Sequence, residues 1–179
     1  YLGIRYNSPT IGLYFFANEY IRFLKNFNYY INCELKFIDS KKSKYFAELV
    51  KVNNEDAIIG ILDDVEIVFL HYKTTNEAYE KWNKRCKRIN KNNIIFKFND
   101  QNLCTDKHIV EFDNLKLTNK ICFTSKEYKN LESVIWLKKY KNNSCVKNDY
   151  YASHKYFNIL NYINNIKENK DDFNNFTSI

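Results

Sequence analysis

Two apolar runs, Ala57 to Leu62 and Val65 to Leu70, stand back to back with only Asp63-Asp64 between them. Ile- and Val-rich runs of this length suit strands buried on at least one face. Two short polar side chains between such strands favour a tight turn. The pair therefore predicts a hairpin-like connection at the heart of a sheet. Elsewhere the usual punctuation is nearly missing, with three Gly and one Pro in 179 residues. The other elements must be read from periodicity.

A first helix is predicted from about Asn18 to Ile31. Tyr20, Leu24, Phe27 and Ile31 form one apolar stripe, and Asn18 can accept from a free backbone N–H at its start. Glu34 to Ile38 alternates as a strand does. A polar loop from Asp39 to Lys44 and a short helix over 45–51 follow. After the hairpin, Thr74 opens a helix to about Asn90, with Thr74 and Glu77 spaced as a capping box. Asn93 to Phe98, Lys120 to Thr124 and Ser133 to Leu137 read as strands, and Thr105 to Asn114 as a helix. A last helix starts near Ser153, with Tyr156, Ile159, Leu160, Ile163 and Ile166 on one side. The expected fold is α/β, a three-layer α/β/α arrangement around a mixed sheet of about six strands, Rossmann-like in general architecture. Residues 1–166 are read as a single domain and the polar stretch 167–179 as a frayed tail.

Composition narrows the function classes. Aromatic residues reach 17%, while Lys and Asn abound, as codon bias in an AT-rich genome would produce. A net charge of +7 would favour polyanions. Acidic residues are interleaved almost everywhere, however, which argues against a nucleic-acid arm. The dense basic exception is Lys81 to Lys91. No apolar run approaches the ~20 residues that span a bilayer. Five cysteines, widely spaced and never Cys-x-x-Cys, argue against a disulfide framework or structural zinc and for a reducing, cytoplasmic setting. A chain that starts at Tyr1 and contains no Met reads as a fragment or a processed product.

Chemistry concentrates between Gly60 and Ile89. Asp63 and Asp64 could hold a hard cation or act as acid and base; equally, they could be a plain turn. If Val65 to Tyr72 is extended, Glu66 and Tyr72 point to one face and His71 to the other. His71 is a candidate acid or base, or a hydrogen-bonded rim histidine. On the following helix Lys81, Lys84, Arg85 and Arg88 share an arc of about 100°. Ala78, Trp82, Cys86 and Ile89 occupy the adjoining arc. That basic face is either a solvated surface with Glu77–Lys81 and Glu80–Lys84 ion pairs, or a guanidinium clamp for phosphate or carboxylate. Asn7 and Ser8 at a turn, and Asp100 after a strand, complete the candidate ligand-binding residues with Glu66, Tyr72 and Trp82. No cofactor is named by any motif; a divalent cation is what the paired carboxylates would hold.

The order Asn-Ser-Pro-Thr-Ile-Gly-Leu (7 to 13), Gly-Ile-Leu-Asp-Asp-Val-Glu-Ile (60 to 67), Phe-Leu-His-Tyr (69 to 72) and Glu-Lys-Trp-Asn-Lys-Arg (80 to 85) continues with Arg88-Ile89, Asn99-Asp100, Cys104-Thr105 and Phe123-Thr124. This succession resembles the domain of unknown function 1919 family, whose members are often labelled exopolysaccharide biosynthesis proteins. The resemblance implies a three-layer α/β protein of capsule or exopolysaccharide assembly that lacks its N-terminal strand here. It also implies departures at Asp100 and Ser125, which weakens any catalytic role for those loops. The expected function is a group transferase on a nucleotide-activated or phosphorylated sugar, with Asp63 and Asp64 as base or metal ligands and Arg85 and Arg88 on phosphate. The alternative is a non-catalytic glycan-binding or scaffold protein. Sugar or sugar-phosphate ligands and other assembly proteins are the expected partners, rather than nucleic acid.

Overall fold

The computed structural model describes residues 8–166. Its residues group into two compact units, one running to Ile94 with Asn102–His108 added, the other formed by Ile95–Gln101 and the chain from Ile109 onward.

The first unit holds a four-stranded antiparallel sheet in the order β1 (Leu13–Tyr14), β4 (Val65–Phe69), β3 (Ile58–Leu62) and β2 (Leu35–Ile38). The hairpin read from the two apolar runs is β3–β4, with Leu62 opposite Val65. Every residue of β4 is buried, including Glu66 among its four apolar residues. Gly60 sits at a close approach: a Cβ there would lie 2.7 Å from Phe69 Cε2 and 2.8 Å from Leu35 Cδ1. Phe16, Leu49, Ile59 and Val68 form one core cluster of this unit.

The helix expected over 18–31 is two helices, α1 (Ala17–Lys25) and α2 (Phe27–Tyr30), broken at Asn26. Asn18 is exposed and makes no cap; the preceding Phe16 occupies that position without a side-chain bond. The short helix over 45–51 is α3 (Phe46–Lys51). The capping box is present on α4 (Thr75–Cys86), where Thr74 accepts from the Glu77 N–H at 3.1 Å. Glu77 in turn accepts from the Lys73 N–H at 3.1 Å, one residue before the cap.

The second unit holds a parallel sheet, β5 (Phe96–Asn99), β6 (Lys120–Thr124) and β7 (Val134–Trp136), in that order. Helix α5 (Asp106–Asn114) lies between β5 and β6 in sequence, as a parallel pair demands. Ile121, Phe123, Leu137, Tyr140, Val146 and Ala152 form its core cluster. Hydrogen bonding thus divides the strands into an antiparallel and a parallel sheet where one mixed sheet was expected. The mixed α/β class holds. The last predicted helix is also divided. A four-residue helix, α6 (Asp149–Ala152), and a 3-10 turn precede a helix over 159–166. Tyr156, Ile159 and Leu160 are exposed rather than lining a core, while Ile166 is buried.

Candidate functional site

Asp63 and Asp64 are the entire loop of the β3–β4 hairpin. Asp63 takes φ 55°, a left-handed geometry that aspartate tolerates better than most residues. Two consecutive tyrosines of α2 dock on these two carboxylates. Tyr29 Oη donates to Asp63 Oδ2 at 2.9 Å, and Tyr30 Oη to Asp64 Oδ1 at 2.7 Å. Arg22 of α1 donates to the other Asp64 oxygen at 2.5 Å. The Tyr30 hydroxyl and then the Arg22 guanidinium hold the Asp64 carboxyl below the usual carboxylate range, against the opposing effect of burial. Burial, reinforced by Asp64, pushes Tyr30 up, whereas Asp63 and then Cys33 push Tyr29 up to about 12.

The adjacent residues differ in what they can still do. Asp64 is committed on both oxygens. Asp63 has one side-chain partner among the described residues, Tyr29, and lines an open cavity of about 280 Å³ with Tyr29, Cys33, Glu34, Lys36 and Ile61. Tyr29 is 54% exposed. Lys36 Nζ lies 3.5 Å from Glu34 Oε2 along the same wall. An exposed ring, two carboxylates, an ammonium and a thiol therefore share one groove. Its chemistry suits hydroxyl-rich ligands: the carboxylates accept hydroxyl protons and the ring offers an apolar face. Among the described residues no group of three or more His, Cys, Asp or Glu is placed to hold a metal ion. A cation at Asp64 would also meet the Arg22 guanidinium, which repels it.

Behind the turn lies a carboxylate network centred on a residue that periodicity did not single out. Glu19 of α1 is 1% exposed and accepts from the Glu66 N–H at 2.8 Å and from Tyr45 Oη at 2.9 Å. Lys44 Nζ approaches it at 3.4 Å and donates to the Asp64 carbonyl at 2.8 Å. Glu66 is buried too, accepting from Ser43 Oγ at 2.6 Å and the Lys44 N–H at 3.1 Å. Burial and then the Glu19 carboxylate push Tyr45 up to about 12. Glu66 is thus a satisfied core carboxylate rather than a groove residue. The available signal for Glu19 was its i, i+4 relation to Phe23, which puts it on a buried face.

The other candidate residues do not gather at the turn. Strand β4 ends at Phe69, and His71, at φ 63°, is exposed rather than aligned with Ile67 and Phe69. Tyr72 Oη donates to the Ile11 carbonyl at 2.7 Å, and Arg85 Nη1 donates to that carbonyl at 2.7 Å and to Tyr72 Oη. Arg85 therefore ties the segment before β1 to α4 instead of facing outward beside Lys84 and Arg88. Trp82 is 1% exposed against Phe23, which leaves no ring face for a ligand. Lys84 and Arg88 are exposed. Ser8 Oγ bonds locally to Thr10, and Asn7 lies outside the described residues. In the second unit, Asp100 accepts from the Ser125 N–H and Oγ, each at 2.7 Å, and from the Val146 N–H at 2.7 Å. Asp100 and Ser125, the two positions expected to depart from the family pattern, are thus bonded to each other.

A mixed α/β chain with a polar groove at a hairpin tip is the class this geometry defines. Residues 1–173 match the family described as Domain of unknown function (DUF1919), and the chain belongs to that family. It is also similar to a protein of Haemophilus influenzae (strain ATCC 51907 / DSM 11121 / KW20 / Rd) described as uncharacterized. The two are 30% identical over 162 residues, covering 88% of this chain and 72% of the relative. No helix among the described residues is long and apolar enough to cross a membrane.

Proposed function

We propose that this protein serves surface-glycan assembly as a group transferase that takes a nucleotide-activated or phosphorylated sugar in the groove beside Asp63. The supporting observation is that the half-exposed Tyr29 lines one groove with the Asp63 and Glu34 carboxylates. Sugars present C–H faces and rings of hydroxyls, and this combination meets both. In a transfer step Asp63 takes the proton from the attacking hydroxyl as its oxygen bonds to the transferred sugar, the donor's sugar–phosphate bond breaks, and the phosphate or nucleotide leaves with the bonding electrons. Lys36 is the groove's own cation for the charge of a phosphorylated donor.

A non-catalytic glycan-binding or scaffold role is the second reading. One observation favours it: the Arg85 guanidinium, expected on phosphate, is spent on the Ile11 carbonyl and Tyr72. Calorimetric titration of nucleotide sugars and oligosaccharides, with product assays alongside, separates the two. Tyr29→Ala and Asp63→Asn are expected to weaken sugar binding about tenfold, roughly 1.4 kcal/mol. Product formation lost in Asp63→Asn supports transfer. Binding without product across all donors supports the second reading. Binding indifferent to both substitutions removes the groove from either account.

A further inference from the structure

The segment from Lys81 to Lys91 carries six Lys and Arg residues and no Asp or Glu. One of the two readings of this face has Lys81 and Lys84 ion-paired along α4 with Glu77 and Glu80. The structure directs those carboxylates elsewhere: Glu77 accepts from the Lys73 N–H at 3.1 Å and Glu80 from Asn76 Nδ2 at 3.4 Å. Lys81, Lys84 and Arg88 are exposed and have no carboxylate partner among the described residues. At 100° and 1.5 Å per residue Lys81 and Lys84 lie within an arc of about 60° and about 4.5 Å apart along α4. Arg88, expected on the same helix, follows in the turn past its end at Cys86, where its N–H donates to the Arg85 carbonyl at 3.0 Å. Ala78 and Trp82 are fully buried on another side of α4, so the helix cannot roll to bury the row.

We propose that this row is a docking surface for an anionic polysaccharide. The proposal rests on the glycan-assembly reading but not on the groove. Exposed charges spread over the end of α4 and the turn after it suit an extended chain with repeated carboxylates better than a single phosphate, which needs converging donors. Nucleic acid is disfavoured because single strands are gripped through exposed rings. Trp82 is buried, and the exposed Tyr79 ring lies about 160° round the helix from Lys81. An anionic membrane is disfavoured because the apolar side of α4 is already packed and cannot insert.

The test uses the full chain with polygalacturonate, neutral dextran, an oligothymidylate and phosphatidylglycerol vesicles as probes, at low and at physiological ionic strength. The expected result is salt-sensitive binding of polygalacturonate in preference to the other three. That affinity should fall at least tenfold in a Lys81→Gln/Lys84→Gln/Arg88→Gln variant and stay unchanged in Asp63→Asn. No polygalacturonate binding at low salt, equal binding by the triple variant, or tighter binding of the oligothymidylate or the vesicles would each overturn the proposal. Failure of the groove reading registers separately, as sugar binding indifferent to Asp63→Asn.

Discussion

Folding gives Asp64 a phenol and a guanidinium as donors, and unfolding returns its carboxyl to water. Its folded pKa is therefore lowered, so the unfolded chain takes up the proton first on acidification. The associated stability is fully present above the unfolded value, near 4. It is lost as pH falls through the lower folded value. Urea midpoints measured from pH 7 to pH 3 should fall less steeply in Asp64→Asn than in the parent; parallel curves would contradict the assignment. The half-exposed ion pair should itself contribute less than about 1 kcal/mol. Tyr29 has the opposite sense. Its raised value means that stability is present below the unfolded value, about 10, and lost as pH climbs through about 12. Ultraviolet titration should show late-ionising phenols, Tyr29, Tyr30 and Tyr45 among them, and Tyr29→Phe should reduce that late amplitude by one phenol. Leu103 offers a different residue-scale test. It takes φ 63° with its side chain 51% exposed, a geometry that costs a branched residue about 1–2 kcal/mol. Leu103→Gly should raise stability by about 0.5–1 kcal/mol after the entropy of the glycine is discounted.

At the scale of elements, the β3–β4 hairpin is the most demanding structure. Gly60→Ala would drive a Cβ into Phe69 and Leu35, both buried, and should cost about 1–3 kcal/mol by thermal unfolding. Loss of less than about 0.5 kcal/mol would show that the strands can part. Thr74→Ala should cost about 1 kcal/mol through the lost cap. These features were legible in sequence because they are local: two apolar runs around two aspartates, and a threonine three residues before a glutamate. What escaped depends on partners distant in the chain. Glu19 reads as a solvent residue of α1 until Tyr45, Lys44 and the Glu66 N–H surround it. Strand β1 has only two residues, too few for a period, and exists by pairing with β4. His71 was misplaced because apolar alternation runs past Phe69 while the strand does not. Of the groove, Asp63 was foreseen; Tyr29, Cys33, Glu34 and Lys36 were not, since a two-residue break in helix and strand assignments separates them from any motif.

For the whole molecule, the charge of +7 is dispersed in composition but not in consequence. In the first unit Glu19 and Glu66 are drawn inward, Asp63 and Asp64 are held at the hairpin tip, and Glu77 and Glu80 bond to Lys73 and Asn76 rather than to the basic row that begins at Lys81. Binding at that row should therefore be salt-dependent, while binding of a neutral sugar in the groove should not. The most direct test of the central claim is titration of the full chain with a panel of nucleotide sugars and neutral oligosaccharides, comparing the parent with Asp63→Asn. Saturable binding of a sugar by the parent, about tenfold weaker in the variant and with unchanged thermal stability, is the expected result. A sugar that binds both proteins equally, or a panel in which none binds, would contradict it.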